Sequence, residues 1–282
     1  MSSIRIMTHN QWKNDQNHAW WAERGEDCSA AARIPGFLQV YRELMPDIIG
    51  CQEVSQQMAD KLMIAAAEEQ IPFALLWGRD TPIIYRRDKL QLLDSDFALY
   101  PERIDEMPGC FNNAATKSYC IAVFQTKASQ KCFVFATTHL WYRSGDPNNS
   151  DYQPFSNEAR KWQLQLLMEK VSRLQDRYAC PAVIVGDMNA DYNSLAVQSA
   201  LKQGFVHGHD VAREFADETM GYHNCSHLGY EAHYFDKPFA NAIDHIFLKG
   251  FASNAVTHFR RYSPDYYLPL SDHSPAFVDI EF

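Results

Sequence analysis

The stretch Val183-Ile184-Val185-Gly186-Asp187-Met188-Asn189 constrains this chain more than any other. A short, wholly apolar run of this kind reads as a strand covered on both faces, and a glycine at its end lets another backbone come close. Two-residue spacing on an extended backbone puts Asp187 and Asn189 on the same side. The chain must therefore build a sheet buried on both faces and present an acid and a carboxamide at its edge. Taken alone, the pattern equally fits a strand running into an Asx-rich turn.

The same pattern recurs along the chain. Residues 4–10 read as a strand ending at His9-Asn10, and residues 47–51 as a buried strand that delivers Gln52-Glu53. In 132–139, Phe133, Phe135, Thr137 and His139 share one side and Cys132, Val134, Ala136 and Thr138 the other, so this strand ends on His139. A strand near 243–248 carries Asp244-His245, and Ser271-Asp272-His273-Ser274 precedes a final strand near 275–281. Further strands are expected near 73–77, 82–86, 91–98, 117–126 and 254–260. Helices are expected over 34–45, stopped by Pro46, and over 56–70. A third runs over 158–175, with Trp162, Leu166, Leu167, Val171 and Leu174 as its buried stripe. A fourth covers 193–202, with Asn193 and Ser194 as caps. Many short strands and a few helices, without strict alternation, point to two stacked sheets covered by helices in one domain over 1–282.

Composition narrows the function classes. The net charge of −9 offers no general basic face for tracking a nucleic-acid backbone. Arg86-Arg87-Asp88-Lys89 and Arg260-Arg261 read as solvated turn residues. An acidic balance still admits a phosphate substrate when a divalent metal supplies the positive charge. No apolar run approaches a membrane span. The seven cysteines form no CxxC pair, and their odd number argues against a disulfide framework. A cytoplasmic monomer is the expectation.

Polar groups following apolar runs at Asn10, Glu53, His139, Asp187/Asn189, Asp244 and Asp272-His273 suggest metal-assisted phosphoester hydrolysis. Glu53 and Asp272 suit a hard cation, since one or two carboxylates plus waters and substrate phosphate usually hold Mg²⁺. A histidine beside an acid is held in one tautomer or kept charged against developing negative charge. Asp187 is then available to orient and deprotonate water.

Asn10, Gln52-Glu53, Thr138-His139-Leu140, Gly186-Asp187-Met188-Asn189, Ile243-Asp244-His245-Ile246 and Ser271-Asp272-His273 together resemble the endonuclease/exonuclease/phosphatase superfamily, in order and over nearly the whole chain. The resemblance implies an α+β fold, a four-layer α/β/β/α sandwich of two mostly antiparallel sheets with the active site at one rim. It implies Mg²⁺, with Mn²⁺ as a substitute, held by Glu53 with Asn10 and Asp272 close by. It makes Asp187 the water-activating group and Asn189 a phosphate-orienting one. His139 and His273 become donors to the phosphate, with Asp244 buttressing His273. Arg33, Arg160 and Gln163 resemble recurring positions, whereas His245 stands where Tyr or Trp is frequent.

Substrate choice falls to the loops 11–33, 101–116, 141–157 and 206–241, with Trp141, Arg160, Tyr222 and His223 as substrate-binding candidates. Their aromatic and histidine content, with few lysines, favours a small phosphorylated molecule or nucleotide end over a duplex backbone. A nuclease acting on DNA or RNA and a non-catalytic binding module are the alternatives. His223, Cys225, His227 and His233 do not match a standard structural zinc spacing.

Overall fold

Two strand–helix–strand units set the layout. The computed structural model describes residues 3–13, 25, 27, 29–215, 242–262, 264–267 and 270–281. The first unit is β1 (Ser3–Asn10), α1 (Ala30–Leu44) and β2 (Ile48–Gln52); the second is β7 (Cys132–His139), α3 (Ser156–Tyr178) and β8 (Ala182–Asp187). In each unit the helical crossover returns the chain to the same end of its sheet, so the two strands pair in parallel.

Strands antiparallel to their neighbours extend both pairs, apart from one two-residue edge strand that pairs in parallel. Helix α2 (Gln56–Glu68) is followed by β3 (Phe73–Leu76), β4 (Ile83–Arg86), β5 (Leu90–Leu99) and β6 (Ser118–Thr126). After β8 come α4 (Leu195–Lys202), β9 (Val206–His207), the one-turn α5 (Gly208–Val211) and β10 (Glu214–Phe215). The chain closes with β11 (Asp244–Lys249), β12 (Val256–Arg261) and β13 (Ala276–Glu281). Among the described residues one sheet runs β10-β12-β13-β1-β2-β4-β3 and the other β5-β6-β7-β8-β11-β9.

Alternation along the strands builds four layers. Ile4, Ile6, Phe133, Phe135, Val183, Val185, Ile246 and Val278 fill the space between the sheets. On the outer face of the first sheet, Met7, Ile49 and Phe277 meet Phe37, Leu38 and Tyr41 of α1 and Met58 and Leu62 of α2. On the outer face of the second, Val134, Ala136 and Ile184 meet Leu164, Leu167 and Val171 of α3. The expected α/β/β/α sandwich is thus the observed one. Gly50 sets how near the sheets come, since a Cβ there would stand 2.3 Å from Val185 Cγ2 and 2.7 Å from Thr137 Cβ.

Two helices differ from expectation. Helix α1 starts four residues earlier than 34, because the Ser29 side chain accepts from Ala32 N and caps it. Pro35 then lies in its second turn, where it removes one helical hydrogen bond without ending the helix. In α3 the buried face carries Arg160, Gln163, Leu164 and Met168, while Trp162, Leu166 and Leu174 are only partly covered. Gln163 is buried because its amide accepts from Trp141 N and donates to Phe111 O. A purely apolar stripe could not anticipate that.

Candidate active site

Parallel pairing brings the polar strand ends to one rim. Asn10 lies opposite Gln52 in one sheet and His139 opposite Asp187 in the other. Strand β11 is antiparallel to β8 and begins where β8 ends, so Asp244 faces Asp187. Strand β13 is antiparallel to β1 with Ala276 opposite Thr8, which brings the preceding residues 271–274 to the same edge. Three strand ends leave the rim through left-handed residues: Trp12 (φ 52°), Glu53 (φ 56°) and Asn189 (φ 47°). Each costs on the order of 1 kcal/mol, a strain typical of functional sites. Gly186 (φ 145°) allows no side chain, because a Cβ there would meet the Thr138 carbonyl oxygen at 2.0 Å.

Asp187 is the hub. Its Oδ1 accepts from Asn189 N at 2.8 Å and its Oδ2 from Asn10 Nδ2 at 3.0 Å. Asn10 Nδ2 also reaches Glu53 Oε1 at 3.3 Å, and Asn10 Oδ1 accepts from Trp12 N. Asn10 thus spaces the two carboxylates, with one lone pair of its oxygen engaged by the backbone and the second left for a cation. His273 donates from Nδ1 to Asp244 Oδ2 at 2.7 Å, and its Nε2 stands 3.8 Å from Asp187 Oδ2. The Asp272-His273 turn is pinned from three sides. Ser271 Oγ donates to Asn10 O, Tyr267 OH to His273 O, and Arg33 to Leu270 O, Gln11 O and Trp12 O. Beneath the site, Gln52 donates to Thr137 Oγ1 at 2.8 Å and ties the two sheets together.

Charge is unevenly spread. Burial pushes Asp187 up to about 6, opposed by the neighbouring His273 cation. Burial also pushes Asp272 up to about 7, with Glu53 and Asp187 adding repulsion. His273 moves well above its ordinary value: burial opposes the charge, but Asp244, Asp272 and Asp187 surround the ring. Burial works against the Asp244 anion as well, yet His273 and Arg261 hold it below the usual carboxylate range. His139 goes well below its ordinary value, through burial and then the neighbouring Lys117 ammonium.

The donor set fits a hard divalent cation. Asp272 Oδ1 is buried without a hydrogen-bond partner among the described residues, and Glu53 and Asp187 repel its carboxylate. Ligand atoms of Glu53, His139 and Asp187 lie within 4.8 Å of one another. His139 Nε2 already accepts from Lys117, so carboxylate oxygens remain as the donors, the type that Mg²⁺ favours.

Several expected site residues take other places. Trp141 is 1% exposed and packs against Phe111, Ile104 and Ala159, so its side chain cannot meet a substrate; Tyr142, 45% exposed, lines the cavity instead. Arg160 is buried and donates to Trp141 O, Arg143 O and Asn157 Oδ1, anchoring the 141–157 segment rather than binding substrate. His245 donates from Nε2 to Ala190 O and accepts at Nδ1 from His207, which fixes the turn after Asp187. Tyr222, His223 and the remaining His/Cys cluster lie outside the described residues.

A cavity of about 1030 Å³ opens on Glu53, His139, Asp187, Asn189, Asp272 and His273. Its walls include Lys13, Asp80, Lys117 and Asp151, none of them anticipated from sequence. Lys117 carried one usable signal. It directly precedes Ser118, the strand partner of His139.

Comparison with known proteins agrees with this geometry. Residues 7–273 match the profile of the Endonuclease/Exonuclease/phosphatase family. The chain belongs to that family. It is accordingly a phosphoric ester hydrolase. An endonuclease/exonuclease/phosphatase from Bacteroides vulgatus superposes with a TM-score of 0.75 at 21% identity, covering 100% of both chains. A Bacteroides thetaiotaomicron mannosyl-6-phosphatase gives 0.74 at 19%, covering 99% of this chain and 100% of that one. The D. rerio TDP2 bound to a single-stranded DNA product gives 0.68 at 15%, covering 100% of both. At these identities the likeness is one of fold. No curated protein matches this family member in sequence. No helix among its described residues is long and apolar enough to cross a membrane.

Proposed function

We propose that the protein is a Mg²⁺-dependent phosphoesterase that hydrolyses a small phosphorylated molecule. One observation carries the reading: Asp187 and the Asp244-buttressed His273 converge at the mouth of one cavity beside Glu53 and Asp272. Glu53 and Asp272 would hold the cation, which neutralises charge on the phosphoryl oxygens. Asp187, with Asn189 N on one oxygen and Asn10 on the other, takes a proton from water aligned for in-line attack. Its raised proton affinity, near 6, suits a base that ends the step protonated. His273, kept cationic by Asp244, donates from Nε2 to the phosphoryl group as negative charge develops. Asn189 lines the approach and orients the phosphate.

The cavity walls favour a compact substrate. Carboxylates Asp80 and Asp151 share the walls with Lys13 and Lys117, so the described residues offer no continuous basic track to a nucleic-acid backbone. Of the structural relatives, the mannosyl-6-phosphatase is the analogue for this reading, and TDP2 with its DNA product the analogue for the nuclease alternative. The test is a phosphate-release panel of sugar phosphates, inositol phosphates, nucleotides, short RNA and duplex DNA, run with Mg²⁺ and with excess chelator. Chelator-sensitive turnover of a small phosphorylated compound is the expected result. Turnover confined to polynucleotides would replace this reading with the nuclease one.

A further inference from the structure

The Lys117 ammonium is buried at the floor of the cavity, 2.6 Å from His139 Nε2 and 5.4 Å from the Tyr142 ring centre. An ammonium has only protons to offer, so His139 Nε2 is the acceptor and the ring proton sits on Nδ1. That Nδ1 is buried without a hydrogen-bond partner among the described residues. His139 in this tautomer has no proton on Nε2 to give to a phosphate.

The other cavity ammonium, Lys13, is matched by Asp80 at 2.8 Å. Among the described residues, no carboxylate oxygen comes within 4 Å of the Lys117 nitrogen, and its hydrogen bond goes to a neutral ring. The Glu53, Asp187 and Asp80 carboxylates favour the ammonium from farther off, but burial outweighs them and lowers its proton affinity to about 8, so an anion in direct contact would complete the site. Two of its three N–H groups remain for that anion.

We propose that Lys117 is the phosphate-anchoring cation of this site and that the site takes a phosphate monoester. The inference rests on the phosphoesterase reading above. Three electrophilic corners surround the cavity floor: the Glu53 and Asp272 carboxylates with the cation they would hold, His273 Nε2, and Lys117 Nζ. A monoester presents three terminal oxygens, one for each corner. A diester presents two, and the third corner would face an esterified oxygen that carries little charge. Lys117 thereby takes the phosphate contact that the family resemblance implies for His139, and His139 becomes the neutral ring that positions it.

The test compares wild type with Lys117→Met and Lys117→Arg, all loaded with Mg²⁺. Inorganic phosphate is titrated calorimetrically, p-nitrophenyl phosphate and bis(p-nitrophenyl) phosphate are assayed, and melting midpoints are recorded. Loss of a charged hydrogen bond in Lys117→Met should weaken phosphate binding and monoester kcat/KM on the order of 10- to 100-fold. Diester turnover should change by no more than about threefold, a span of about 0.65 kcal/mol. Lys117→Arg should retain most phosphate affinity, and Lys117→Met should melt no lower than wild type. Unchanged phosphate binding by Lys117→Met overturns the proposal. So does a parallel fall of both ester activities with a lowered melting midpoint, which would mark a structural role. Absence of any Mg²⁺-dependent turnover by wild type refutes the phosphoesterase reading instead, while the phosphate titration still decides on Lys117.

Discussion

Replacing Asp187 with Asn separates the chemistry at this site from its architecture. The rise of the Asp187 carboxyl from 3.8 to about 6 means that its ionised form costs the metal-free fold about 3 kcal/mol. The sign follows from linkage. A carboxyl whose folded pKa lies above its unfolded one binds more protons in the folded state, so stability falls as pH rises from about 4 to about 6 and then levels. The substitution would remove that cost. It would introduce another, because both oxygens of Asp187 accept hydrogen bonds, from Asn189 N and Asn10 Nδ2. Whichever way the new amide turns, one N–H faces another N–H, a loss of about 1–3 kcal/mol. The two terms nearly cancel. At pH 7 in chelator, Asp187→Asn should therefore melt within a few degrees of wild type, since about 1 kcal/mol moves a domain of this size by ~2–4 °C. Its decline in stability between about pH 4 and 6 should be shallower than that of wild type. Turnover with Mg²⁺ should fall on the order of 10²–10⁴-fold, the contribution of a positioned general base. Differential scanning fluorimetry across pH and initial rates on the best panel substrate measure both. A variant that keeps half of wild-type turnover would show that Asp187 is not the base, and a melting point lowered by tens of degrees would show that the hydrogen-bond geometry is wrong.

Other substitutions probe the frame. Gly186→Ala should fail to fold or lose more than about 4 kcal/mol, since its Cβ would overlap the Thr138 carbonyl oxygen; a soluble variant with wild-type melting would contradict this. Asp244→Asn should destabilise the fold by about 3–5 kcal/mol near neutral pH. Asp244, with its depressed pKa, stabilises above its unfolded value and His273, with its raised pKa, below its own, so the deficit should shrink both in acid and in base. In the same variant the alkaline limb of activity should move to lower pH as His273 loses its proton more readily. Arg160→Met should lower stability by about 1–3 kcal/mol through three lost hydrogen bonds, with no change in the salt dependence of KM; a KM that loses its salt dependence would restore Arg160 to the substrate.

Much of the fold is legible because burial leaves a periodic trace. Phe133 and Phe135 alternate with Val134 and Ala136 in the sequence as they alternate between the two cores. Asn10, Glu53, His139, Asp187, Asp244 and Asp272-His273 stand out because each polar group follows or adjoins an apolar run. The α3 face differs from its apolar stripe because Arg160 and Gln163 are buried by hydrogen bonds to backbone carbonyls and amides, and apolar spacing carries no information about such partners. Trp141 and Tyr142 illustrate the same limit. Adjacent aromatic residues look alike in sequence, and packing against Phe111 and Ala159 decides which is buried.

The sequence by itself determined that a two-sheet sandwich forms and which strand ends are polar, because both follow from local alternation and from where apolar runs stop. Only the tertiary structure decided how those ends are used. Asn10 turned its oxygen to Trp12 N and its nitrogen to two carboxylates, and His139 became an acceptor because Lys117, twenty-two residues earlier, fills the space beside it. Hydrogen-bond direction and protonation depend on the few ångströms around each group, and those distances are set by strands that meet from opposite ends of the chain.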